Sequence, residues 1–350
     1  MANYTTINKS TDYFNTKLYT GTGSAGQAQT GVGFQPDLVW TKSRSNTYPH
    51  QWYDVIRGVT KRIQSNDTSA EATQSNGLSS FDSDGFTVGD ASGTGVNSAT
   101  YAAWNWKANG TGSANTDGTI TSTVSANTTS GFSIVSWTGT GANATIGHGL
   151  GSVPKMILLK CRTQADKWIV YHNSIGNTKY LVLNATDTET TSSTHWNNTS
   201  PTNSVFSTGS SGNVSGVGET FIAYCFAEKT GYSKFGSYVG NNPAGSSNRQ
   251  FIYTGFKPAF VMIKESSGAG HWVIYDNKRA NTFNPATGRL MADDNGSENI
   301  NSDAINLLSN GFYITDTSND LRTINANNET YTYMCFAEQP LVGDNPATAR

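Results

Sequence analysis

Apolar residues along this chain come in short runs rich in Val, Ile, Tyr, Phe, Trp and Thr, bounded by Gly, Asn, Asp and Ser. That pattern signals strands, since a helix needs a longer run with a 3.6-residue period. In the middle third it predicts strands at Phe132–Trp137, Met156–Lys160, Trp168–Tyr171, Tyr180–Leu183, Ser204–Ser207 and Thr220–Phe226. Alternation in TFIAYCF puts Phe221, Ala223 and Cys225 on one face and Ile222, Tyr224 and Phe226 on the other. Bulk on both faces predicts a central strand. The one helical hint lies at Thr68–Gln74.

The pattern occurs three times. GFQPDLVWTKSR, GSVPKMILLKCR and GFKPAFVMIKES each carry a Pro (Pro36, Pro154, Pro258) followed at equal spacing by a Lys (Lys42, Lys160, Lys264). At a second equal spacing come Tyr53, Tyr171 and Tyr275, and Trp168 and Trp272 align with each other and with His50. Each copy opens on an aromatic followed by Gly turns (LYTGTG, SWTGTG, SYVGNN) and closes on an aromatic strand (YAAWNWKA, FIAYCFAE, YTYMCFAE). A copy of this size can bury its own core. The expected fold is all-β, with three tandem β-sandwich, jelly-roll-like domains at 14–108, 131–230 and 231–340. An N-terminal arm (1–13), a Gly/Ser/Thr/Asn-rich linker (109–130) and a C-terminal tail (341–350) complete the chain. The linker predicts a flexible joint after the first unit, and the short second joint a rigid one. A propeller, with each unit as a pair of blades, is the alternative.

Composition narrows the function. Charged residues are 14%, against roughly 25% in an average soluble domain, and the formal net charge is -2, so no basic footprint for nucleic acid exists. No apolar stretch is long enough to span a membrane, and the N-terminus lacks the apolar core of a signal peptide, so the Asn-x-Ser/Thr triplets are not read as glycan sites. Three Cys do not make a disulfide framework.

Candidate chemistry is sparse. GTGSAG (21–26) fits a phosphate-loop template, but QAQTGVGFQP cannot start the helix such a loop needs, which leaves a glycine turn. FDSDGF (81–86) starts like a calcium loop without a closing Glu, so a tight turn is expected. The five His have no metal-ligand spacing, and His50 and His271 read as surface or turn residues. Cys225 and Cys335 occupy equivalent strand positions, with Asn105 in the first copy, and behave as small hydrophobes. Neither a cofactor nor a metal is expected. The repeated polar constellation is Tyr53, Asp54 and Arg57 with Tyr275, Asp276 and Arg279, replaced in the middle copy by His172 and Ile175. It reads as an ion pair at a strand end or as a contact for a partner or glycan. Aromatics that stack on sugar are a further option, although alternating aromatics are mostly core.

Several phrases resemble a family of structural proteins from marine tailed phages, such as those infecting picocyanobacteria and pelagic bacteria. They are NYTTINKSTDYFNTKLYTGTGS, GVGFQPDLVWTKSRS, FDSDGFTVG, YAAWNWKANGTGSAN, GHGLGSVPKMILLK, AYCFAEKTGYSKFGSYVGN and PLVGDNPATAR, spread over nearly the whole chain. The resemblance implies a non-enzymatic virion protein, assembled in the host bacterial cytoplasm, with no catalytic residues to transfer. Its implied partners are other virion proteins, either the major capsid protein or tail proteins. No heptads or short trimerising repeats build a shaft, so head-surface decoration is the expected role, with the arm and tail as docking strands. The alternative is a tail or tail-fibre component that touches the host through a surface glycan.

Overall fold

The computed structural model describes residues 5–242, 249–279, 284–300, 305–315 and 323–340. The protein is all-β. The six strands expected in the middle third are present as Phe132–Thr138, Pro154–Cys161, Ile169–His172, Lys179–Val182, Val205–Thr208 and Thr220–Ala227. Among the described residues, helix is limited to a 3-10 turn at Ser10–Asp12 and a single α-turn at Gly212–Ser215. The hint at 68–74 is not a helix: Ala72–Thr73 instead pairs with Lys61–Arg62. Its backbone is taken up by that pairing and by bonds from Glu71 to the Arg162 carbonyl and from Gln74 to the Thr60 carbonyl, so tertiary contacts override the weak local preference.

Three antiparallel sheets repeat one strand order. In the first, Phe14–Thr20, Thr100–Trp106, Leu38–Ser43 and Gln51–Asp54 lie side by side. The second places Phe132–Thr138, Thr220–Ala227, Pro154–Cys161 and Ile169–His172 in the same sequence, and the third Ser233–Val239, Thr330–Pro340, Phe256–Glu265 and Trp272–Asp276. Each is accompanied by a smaller sheet from its own segment. These are Gln27–Thr30 with Gly85–Val88 and Leu78–Asp82, Ala144–Gly147 with Val205–Thr208, and Gln250–Tyr253 with Gly311–Ile314 and Ile305–Leu308.

Period-two alternation sends each large sheet's side chains to two places. Phe221, Ala223 and Cys225 pack with Phe206 and Ile146 of the small sheet. Tyr101 and Ala103 join Phe86 and Val88, and Tyr331, Tyr333 and Cys335 join Phe312 and Ile252. The opposite faces, with Trp104, Trp106, Ile222, Tyr224, Phe226, Met334 and Phe336, meet in one central cluster shared by all three segments. At its centre the equivalent rings Trp106, Phe226 and Phe336 are mutual neighbours, with centroids 6.2, 5.7 and 5.9 Å apart. All eight Trp are buried, none more than 3% exposed.

Two expectations about the connections are corrected. The segment 109–130 is not a flexible linker. Its strands Ser113–Asn115 and Ser122–Asn127 extend the second sheet beyond Phe132–Thr138, with Val124 buried in that segment's core. Ser, Thr and Asn also occur within other strands of this chain, such as Phe14–Thr20 and Phe132–Thr138, and an open sheet edge binds backbone whatever the side chains. The arm is not a free docking strand either: Ile7 lies in the central cluster and Thr5 and Ser10 are buried. Residues 1–4 and the tail 341–350 lie outside the described residues.

Candidate functional site

The repeated polar constellation closes the strand ends. Asp54 Oδ1 accepts the N–H groups of Ile56 and Arg57 at 3.0 and 2.9 Å, forming an Asx turn, while Oδ2 pairs with Arg57 Nε. The guanidinium also donates to the carbonyls of Lys61 and Trp52. Asp276 repeats this: Oδ1 accepts from Lys278 and Arg279, Oδ2 lies 2.6 Å from Arg279 Nε, and Arg279 donates to the Ile274 carbonyl and to Glu298. Burial disfavours both Arg charges. The neighbouring carboxylates, with Asp54 first for Arg57 and Asp276 first for Arg279, outweigh that, so both titrate above their ordinary value.

Each pair also receives a hydrogen bond from another segment. Tyr224 OH donates to Asp54 Oδ2 at 2.7 Å, and Trp104 Nε1 donates to Asp276 Oδ2 at 2.9 Å. In the middle segment His172 Nδ1 accepts the Ser174 N–H at 3.2 Å, reproducing the turn without charge, and Nε2 reaches the Tyr333 carbonyl at 3.1 Å. Met334 stands where Tyr224 and Trp104 stand in the other two sheets. Tyr53, Asp54, Tyr275 and Asp276 are at most 1% exposed, and Arg57 and Arg279 are buried as well. Tyr53 OH is bonded to Gln74, and Tyr275 lies in the third core. The reading of these six residues as partner or glycan contacts is therefore corrected: all six are buried, Asp54 and Asp276 take bonds from other segments of the same chain, and Tyr53 and Tyr275 face the cores of their own segments.

Further contacts close the three segments into a ring. Backbone bonds run from Glu71 N–H to the Arg162 carbonyl, from Glu189 to Ser266 and from Glu298 to Arg44, at 2.8, 2.9 and 2.8 Å. Arg162 and Arg44 also form ion pairs with Glu71 and Glu298. Trp168 Nε1 donates to the Gln64 carbonyl and Trp272 Nε1 to the Val182 carbonyl. His50, aligned with both, completes the set: Trp40 Nε1 donates to its Nδ1 at 2.7 Å, so Nε2 carries the proton that goes to the Met291 carbonyl at 2.8 Å. His50 is thus fully buried rather than at the surface, and His148, His172 and His195 are buried too. His271 is partly buried, 2.7 Å from Asp293. The alignment of His50 with two tryptophans was the signal for its burial. Sequence reasoning missed the Arg–Glu pairs, although Arg44 and Arg162 follow the repeated Lys at equal spacing.

Those lysines, Lys42, Lys160 and Lys264, are buried, and each Nζ donates to two carbonyls, one on the following residue. Burial pushes all three down to about 8. Cys161, Cys225 and Cys335 are buried, and burial raises the thiol pKa of the last two.

GTGSAG forms the turn from Phe14–Thr20 to Gln27–Thr30, and a Cβ at Gly21 would stand 2.2 Å from the Val96 carbonyl oxygen. In FDSDGF, Asp84 accepts the N–H groups of Gly31 and Gly33, which lower its pKa. No group of three or more His, Cys, Asp or Glu is placed to hold a metal ion among the described residues, and no helix there is long and apolar enough to cross a membrane. A cleft of about 470 Å³ opens where the first and third segments meet, lined by Thr47, Met291, Asp294 and Glu298, the last already paired with Arg44 and Arg279.

Fold and polar network together define an all-β protein whose repeated charged residues join its own sheets. The chain belongs to the family described as a domain of unknown function (DUF7483), whose model matches residues 9–340. No curated protein matches it.

Proposed function

We propose that this chain is a non-enzymatic structural protein of a tailed-phage virion that decorates the head surface. On this reading its three copies are tandem sandwich units of jelly-roll type, and its partner is the major capsid protein. The observation that carries it is the closed ring: the repeated polar groups and all eight Trp are used up inside the molecule. Such a body resists local opening, because its segments share one core and cannot unfold singly without exposing it. Three similar but unequal segments let one chain meet a quasi-threefold arrangement of neighbours.

The test is copy number in purified particles, by quantitative mass spectrometry against the major capsid protein. Copies in the hundreds are expected. Absence from the particle overturns the virion reading, and a few copies per particle moves the protein to the tail. That second reading, a tail or tail-fibre component touching a host glycan, is favoured by the exposed rings of Phe251 and Tyr253.

A further inference from the structure

We propose that the outer face of the small sheet in the third segment is a carbohydrate-binding shelf that takes neutral polysaccharide. Phe251 and Tyr253 lie two residues apart on Gln250–Tyr253, and Tyr313 stands directly across from Phe251 on Gly311–Ile314. Asn306 on Ile305–Leu308 continues the row. Alternation turns Ile252, Phe312 and Leu307 inward to the core and these four outward. Phe251 is 42% and Tyr253 57% exposed, the exposed aromatic rings among the described residues, and Tyr313 is half-buried.

The fold does not require rings here. Register equates these positions with Ala28, Thr30 and Thr87 in the first segment and with Thr145, Gly147 and Ser207 in the second. Two small sheets of the same kind therefore stand with small or polar side chains where the third presents aromatics. The Phe251 ring is also held flat. It lies across Gly311, where a Cβ would come within 3.0 Å of Cε2 and Cζ. A ring laid on the neighbouring strand loses little freedom when a ligand covers it.

Chemistry and area select the occupant. The outward side chains on these strands are the rings of Phe251, Tyr253 and Tyr313 with Asn306 and Leu308 beside them; the three strands carry no charged side chain, and Arg249 stands before the first. Flat rings with phenol edges match a pyranose, which offers an apolar C–H face and a rim of hydroxyls. The exposed parts of Phe251 and Tyr253 amount to about 200 Å². A stable protein interface needs about 800 Å² per partner, so the shelf suits a sugar chain better than a folded protein. Binding at one shelf is weak and gains from many copies on one particle. The shelf stands apart from the buried seams and does not depend on where in the virion the chain sits.

The test is mobility of the full-length protein in native gels containing a β-1,3-glucan, a galactomannan, a xylan or the acidic polysaccharide alginate. Retardation by at least one neutral polysaccharide is expected. Phe251→Ala and Tyr253→Ala should each weaken it by about tenfold, the loss of one stacking contact. Thr30→Ala on the equivalent first-segment face and Arg249→Ala should leave it unchanged. Both shelf residues are exposed, and an unchanged melting temperature checks that the variants fold. The proposal fails if no neutral polysaccharide retards the protein, or if the Phe251→Ala/Tyr253→Ala double variant is retarded as well as the parent. Retardation by alginate alone, abolished by Arg249→Ala, also overturns it in favour of simple ionic attraction. So does a dimer in sedimentation that the double variant dissolves. None of these outcomes changes the copy number in particles, so the two readings fail separately.

Discussion

Between the first and second segments the buried joint is ionic, with Asp54, Arg57 and the Tyr224 hydroxyl in one network. Between the second and third it is neutral: His172 closes the same turn and bonds a backbone carbonyl, with Ile175 and Met334 where the charged joint has Arg57 and Tyr224. One backbone geometry thus accepts a carboxylate or an imidazole, provided the neighbours change with it. A buried charge is tolerated only as part of a complete set, because the desolvation cost of either ion alone exceeds what remaining partners return. The neutral set has no such all-or-none character.

The sharpest way to break that comparison is to remove one ion. Asp54→Ala leaves the Arg57 guanidinium buried without its main partner and should cost about 3–5 kcal/mol in denaturant unfolding, as should Asp276→Ala for Arg279. His172→Ala in the neutral joint should cost less, about 1–3 kcal/mol. Equal losses at the two kinds of joint would remove the distinction. Tyr224→Phe deletes one hydrogen bond to the carboxylate but leaves the ion pair, and should cost about 1.5–3 kcal/mol, less than Asp54→Ala. Met334→Leu at the equivalent position of the third sheet should stay under about 1.5 kcal/mol, because no hydrogen bond is lost there.

Acid tests the neutral joint most gently. Burial lowers His172 to about 4 and pushes His50 well down, whereas an unfolded His titrates near 6.5. Lys42 and Arg279 add to the depression of His50, while its bonds to the Met291 and Asp294 backbone oppose it. Below pH 6.5 the unfolded chain therefore binds protons that the folded chain refuses. The stability present above pH 6.5 falls as the pH drops toward 4, by up to about 1.4 kcal/mol per pH unit for each His. His172→Gln should reduce that slope by one proton's share in urea titrations across this range. An unchanged slope would mean that the imidazole is protonated in place.

Much of this architecture was legible beforehand. Six strands of the middle segment lie within two residues of their expected bounds. The two-sided bulk of TFIAYCF corresponds to its two cores, with Phe221 in one and Tyr224 in the other. The Asp–Arg spacing was visible as a strand-end ion pair. What escaped were properties that depend on distant neighbours. His50 reads as a polar turn residue until Met291 is placed over it, and 109–130 reads as a tether until Ser122–Asn127 meets an open edge. Phe251 and Ile252 are adjacent aromatic and aliphatic residues, and composition does not tell which one stays in solvent.

From the sequence alone follow the all-β class, the strands, the threefold recurrence of their landmarks and the three-residue spacing of Asp54 and Arg57 and of Asp276 and Arg279. These are local facts, set by period-two alternation and by side chains three residues apart. Only the tertiary structure decided that the outer faces of the three large sheets meet in one core, that the ring closes from Glu298 back to Arg44, and that the aromatic shelf remains uncovered. Alternation determines which residues share a face of a strand. What that face meets, another sheet or water, depends on contacts between residues hundreds of positions apart, which no local pattern carries.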